Sequence, residues 1–136
     1  MANYDLVPHV GAICDGSTPT FMLTHWCRDR TRGAKMPVED IVRIQTKDTA
    51  EQYGLFDRGV IAPGMKGDIN VIDLESLSLP KPEMVFDLPA GGRRLFQGAT
   101  GYRATIVSGE VVYRDGEPTG ILPGKLIRGE QRAAAN

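Results

Sequence analysis

Few residues in this chain are equipped for chemistry, and the best placed stand near its start. Asp5 and His9 lie four positions apart, followed by Cys14, Asp15 and, further on, His25 and Cys27. Imidazole, thiolate and carboxylate side chains are the types that ligate zinc. Catalytic zinc needs about three protein ligands and an open position. The chain has only 2 histidines and 2 cysteines. The spacing of His9, Cys14, Asp15 and His25 fits no standard zinc pattern. His25, next to Trp26 in a helical stretch, reads as a packing or surface residue, and the two cysteines as free thiols.

Two other clusters are weaker. Arg28, Arg30 and Arg32 could grip an anion. They stand where a helix ends, however, and there the dipole alone favours cations. Gly91-Gly92-Arg93-Arg94 lacks the strand-then-helix setting of a phosphate loop, so it reads as plain loop.

The elements that must position these residues follow from period and punctuation. Ser17-Thr18-Pro19 is a helix start. Phe21, Leu23, Trp26 and Cys27 form a loose stripe after it, and Gly33 is the expected stop. Met36-Pro37 opens a second helix with Val38, Ile41, Val42 and Gln45 on one face. Thr46 is the expected cap of a short third helix through Tyr53, ended by Gly54. Residues 55–67 are connection, with turns at Asp57-Arg58-Gly59 and Pro63-Gly64. From Asp68 the period changes. Residues 68–73 read as a strand, 83–88 as a second extended run, and 89–101 as irregular. Residues 104–107 and 110–113 form a hairpin through Ser108-Gly109, and Asp115-Gly116 turns the chain again. Residues after Lys125 read as an exposed tail.

Composition narrows the classes. The 136 residues make one domain by length, well short of the ~250 of a (β/α)8 barrel. Charge is balanced, 16 basic against 17 acidic residues, with no basic run or aromatic–basic interleaving. Neither a nucleic-acid partner nor a membrane surface is expected. No apolar run approaches the ~20 residues of a membrane helix. Cysteine usage without a signal peptide points to the cytoplasm.

Four segments carry a family resemblance. They are Asp5-Leu6-Val7-Pro8-His9 with the Val10–Asp15 run after it, the helix start Thr18-Pro19-Thr20-Phe21, the stretch from Gly54-Leu55-Phe56-Asp57-Arg58-Gly59 to Gly67-Asp68-Ile69-Asn70-Val71-Ile72-Asp73, and the closing hairpin Ile106–Val112 with Gly116 to Arg128. Together they resemble the C-terminal part of amidohydrolase-superfamily enzymes, in particular the N-acyl-D-amino-acid deacylases. The third segment marks the superfamily; the first is more specific to deacylases.

The resemblance implies that Asp5 is the metal-side aspartate and general base at the end of the eighth barrel strand. It places His9 at the barrel mouth, where it touches substrate. It implies zinc in the full-length family. The family's His-x-His pair, middle-strand histidines and bridging Cys or carboxylated Lys are absent here. Asp5 would therefore bind metal only if the missing barrel is supplied, and this chain alone is expected to bind none and to be inactive in isolation. The implied reaction is hydrolysis of the amide bond of N-acyl-D-amino acids. The alternative is a non-catalytic β-rich binding or oligomerisation module.

The expected fold is α+β. Helices that are the remnant of a barrel end occupy residues 1–54, and a small, mainly antiparallel, sandwich-like β subdomain with a C-terminal tail occupies 55–136. Phe21, Leu23 and Trp26 would face a barrel that is not there, so a homo-oligomer, or a partner supplying the N-terminal barrel portion, is expected.

Overall fold

The computed structural model describes residues 15–132. Its helices and its antiparallel sheets make an α+β fold. The first helix, α1 (residues 18–29), begins with the turn Thr18–Phe21, where Pro19 occupies a position whose N–H needs no partner. It then widens into a π-helical stretch, Met22–Asp29. Its last bond runs five residues back, from the Arg30 N–H to the His25 carbonyl at 2.8 Å. Arg30, with ψ 128°, leaves the helix, so the stop precedes Gly33 by three positions.

The second and third helices expected from sequence are one. In α2 (residues 38–52), Val38–Arg43 continues through a π-helical segment, Ile44–Asp48, into Thr49–Gln52. Thr46 does not cap. Its hydroxyl donates to the Val42 carbonyl at 2.7 Å, and that of Thr49 donates to Ile44 at 2.6 Å. Both hydroxyls are satisfied by the preceding turn, so nothing interrupts the helix. The inward stripe is also narrower than its period suggests: Ile41 is fully buried, whereas Val42 is 46% exposed. Gly54 follows with φ +70°, the left-handed conformation that ends a helix.

Four strands form the main sheet, β1 (Ile69–Ile72), β4 (Tyr102–Val107), β5 (Glu110–Arg114) and β6 (Glu117–Pro118), in the order β1-β4-β5-β6. All pairs are antiparallel. Ser108 and Gly109 both have positive φ, 53° and 84°, the backbone that a two-residue hairpin requires. A separate hairpin pairs β2 (Glu83–Leu88) with β3 (Gly92–Phe96). Gly92-Arg93-Arg94 is thus strand rather than loop, and the Arg94 guanidinium pairs with Asp87 across the hairpin at 2.5 Å.

Helices and sheet share one core. Leu23 of α1, Ile41 of α2, Leu77 of the β1–β2 connection and Tyr102 of β4 form its centre. Met22, Cys27, Met36, Val38, Ile72, Leu74 and Ala99 pack around them. Leu77 is fully buried although it lies outside every strand and helix. Gly101 makes this possible: with φ +91°, its missing Cβ would stand 2.6 Å from the Leu77 Cα. Among the described residues no helix is long and apolar enough to cross a membrane.

Candidate functional site

Asp5, His9 and Cys14 lie outside the described residues. The structure does place His25, and not with ligands. Its ring stacks on Phe21 at 4.9 Å and 8°, and meets Trp26 edge-on at 5.5 Å. The Arg30 guanidinium covers the other ring of this ladder, 4.5 Å from the Trp26 centroid. Burial, and secondarily the Glu39 carboxylate, push the Cys27 thiol up, away from the thiolate that metal binding or nucleophilic attack needs. Among the described residues no three of His, Cys, Asp or Glu are grouped to hold a metal ion. The described part of the chain therefore does not fit a catalytic metal.

The arginine run does not act as a unit. Arg28 turns inward from the last turn of α1. Its Nη1 donates to the carbonyls of Leu74 at 2.5 Å and Leu77 at 2.9 Å, while Nε and Nη2 grip the Asp29 carboxylate. That hydrogen-bonded pair holds Asp29 below the usual carboxylate range and raises Arg28. Arg30 donates instead to the Arg32 carbonyl. Five guanidinium donors suit this fork. Its role is to tie α1 to the turn after β1.

A second contact fixes the same helix. The Thr20 and Tyr102 hydroxyls share a buried hydrogen bond of 2.7 Å. Thr20, Arg28 and the Leu23 side chain thus orient α1 on the sheet from three points. Sequence reading missed both polar contacts, because each joins residues remote in the chain.

The Asp57-Arg58-Gly59 turn, read as connection, carries an ionic cluster. Arg58 binds Asp57 through two bonds, 2.8 and 3.0 Å, and Asp68 through a third of 3.1 Å. The other Asp68 oxygen accepts the Ser108 N–H at 2.8 Å. The Arg58 hydrogen bond holds Asp57 below the ordinary carboxylate range. Arg58 and Asp68 also border an open groove of about 250 Å³, lined by Gln45, Thr49 and Tyr53 among others. Both carboxylates are committed to the guanidinium, so this cluster holds the start of β1 and supplies no free base. The alternation of Asp57, Arg58 and Asp68 around turn glycines was the available signal.

Residues 2–113 match the sequence profile of the Amidohydrolase family. The chain belongs to this family. Among named relatives it is 32% identical to an adenine deaminase of Sinorhizobium fredii over 149 aligned residues, covering 93% of this chain and 25% of that protein. An adenine deaminase 1 of Rhizobium etli is 29% identical over the same shares. An adenine deaminase 1 of Rhizobium meliloti is 32% identical over 68% of this chain and 18% of its own length. The chain thus spans about a quarter of the length of the first two relatives. No solved structure matches it. The superfamily part of the resemblance stands, whereas the named relatives are adenine deaminases rather than N-acyl-D-amino-acid deacylases.

Proposed function

We propose that the chain is the C-terminal portion of a metal-dependent amidohydrolase whose substrate is the amide bond of an N-acyl-D-amino acid. Membership of the Amidohydrolase family, over a match that includes Asp5 and His9, carries the reaction class. The Asp5-x-x-Pro8-His9 spacing supports an amide substrate in particular. On this reading Asp5 accepts the proton of the attacking water and His9 contacts the substrate. The described residues anchor α1, the element that follows this segment in the chain. The chain by itself does not turn over, because one carboxylate and one imidazole do not complete a metal site.

A second reading rests on the relatives. All of them are named adenine deaminases, which favours hydrolysis of an exocyclic C–N bond on a purine with release of ammonia. Co-expression of the 136-residue chain with the front portion of a related amidohydrolase separates the two. Release of free D-amino acid from an N-acetyl-D-amino acid, lost on Asp5→Ala, is the expected result. Ammonia from adenine instead, with the same loss, would support the second reading. A reconstituted complex with neither activity would leave a non-catalytic binding or assembly module.

A further inference from the structure

The last described segment leaves the body of the protein and returns to it at one point. Thr119 is tied down beside β5, its N–H on the Val112 carbonyl at 3.0 Å and its hydroxyl on Val111 at 2.7 Å. The far end is Gln131. Its N–H donates to the Gly54 carbonyl and its carbonyl accepts the Phe56 N–H, both at 2.8 Å, making a one-residue parallel bridge to Leu55. Between them, residues 121–130 make no backbone–backbone hydrogen bond to the rest of the described chain, and their backbone bonds to side chains go only to the two ends, Thr119 and Gln131. The strap is apolar and bare: Leu122 is 92% exposed and Leu126 78%. Beside its seat in the chain, Tyr53 is also bare, at 75%.

We propose that residues 119–132 are an exchangeable strap through which two copies of this chain pair, the Gln131 of each seated on the Gly54–Phe56 edge of the other. The occupant of the seat is already known, because this chain's own strap fills it. The two backbone bonds are the same whether Gln131 comes from the same copy or a second one, so exchange sacrifices none of them. Gly120, at φ +83° with open space around it, and Pro123-Gly124 provide the place to redirect the strap. Eleven residues, 120–130, extend to roughly 35–40 Å, enough to reach a neighbouring seat. What exchange adds is cover for Leu122 and Leu126 where two straps run together. Exchange of an identical element is a low-cost route to a dimer. Self-association through the α1 stripe has less support, because Leu23 is committed to the core.

The test uses the full chain with Cys14→Ser and Cys27→Ala, and two single-cysteine variants on that background, Leu55→Cys and Gln131→Cys. Refolded together at high concentration and oxidised, they are expected to give a disulfide-linked heterodimer. The double variant refolded at low concentration is expected to close on itself. A double variant that closes internally at every concentration, with no heterodimer from the mixture, overturns the proposal. So does a double variant that never closes, since the seat would then not exist. Sedimentation of a chain ending at Thr119 gives a second readout. It should be at least tenfold weaker in self-association than the full chain, and an unchanged dimer would place the contact elsewhere.

Discussion

The buried hydrogen bond between Thr20 and Tyr102 allows a quantitative test of how α1 is held. Thr20 is 2% exposed and Tyr102 8%, so neither hydroxyl has water to turn to. Tyr102→Phe deletes one oxygen and leaves the Thr20 hydroxyl buried and unpaired, which costs ~1–3 kcal/mol. Thr20→Val leaves the Tyr102 hydroxyl in the same position, at a similar cost. The double variant removes both polar groups with little change of shape, and such a replacement is close to neutral. The double variant should therefore be destabilised by much less than the sum, with a coupling close to the two single costs together, about 2–6 kcal/mol. Trp26 is the only tryptophan and stands on α1, so its fluorescence follows the loss of the helix from the sheet. With a urea slope of ~1–3 kcal/mol/M, each single change should lower the midpoint by roughly 1 M, and the pair should recover most of it. Strictly additive costs, with coupling within about 0.3–0.5 kcal/mol of zero, would show that the hydroxyls do not meet and would undo the account of the shared core.

Three further outcomes follow from the same packing. Leu23→Ala should cost ~2–5 kcal/mol in urea unfolding, as for other core leucines, whereas Phe21→Ser at 44% exposure should cost far less; equal costs would mean Leu23 is not in the core. Gly101→Ala combines a left-handed φ with a Cβ 2.6 Å from the Leu77 backbone and should destabilise by more than ~1 kcal/mol; a neutral or stabilising result would contradict the close approach. Asp57 is held below its ordinary pKa by Arg58, so its contribution is fully present above about pH 4 and is lost as pH falls through the lower, folded-state pKa. Asp57→Asn should accordingly flatten the loss of stability below pH 4, and an acid limb identical to that of the parent protein would refute the pairing.

What could be read from sequence was local. The Ser108-Gly109 and Asp115-Gly116 turns were legible because each needs two consecutive positive φ angles, and these residue types adopt them at least cost. The start of α1 at a proline and the end of α2 at Gly54 were legible for similar reasons. Strand β3 was hidden because glycine and arginine mask a strand that is set by pairing with β2, not by its own pattern. Leu77 was hidden among Ser, Pro and Glu between two extended runs, where no periodic pattern marks a core residue. Thr46 carried a cap signal, yet its hydroxyl found the preceding carbonyl first. The one candidate site the sequence offered was the Asp5-x-x-Pro8-His9 motif, which lies outside the described residues, and no spacing among the remaining histidines and cysteines pointed to a metal. Arg28 shows the limit most plainly. Its place in the last turn suggested a solvated cation, but besides Asp29 it binds carbonyls 46 and 49 residues away.

These long-range ties bear on how the chain could serve an amidohydrolase. Its helices and main sheet do not form separate cores: Leu23 and Ile41 meet Leu77 and Tyr102, and Arg28 and Thr20 add polar ties across the same boundary. A change on β4 or in the 73–78 turn therefore reaches α1 directly. On the proposed function, this predicts two kinds of loss in a reconstituted enzyme. Asp5→Ala should abolish turnover while leaving the urea midpoint of the 136-residue chain unchanged. Arg28→Ala should lower both together, because it frees α1 from the sheet and strands the Leu74 and Leu77 carbonyls. Full activity in an Arg28→Ala enzyme whose chain is measurably destabilised would separate the two effects, and would mean that the orientation of α1 on the sheet is irrelevant to the chemistry.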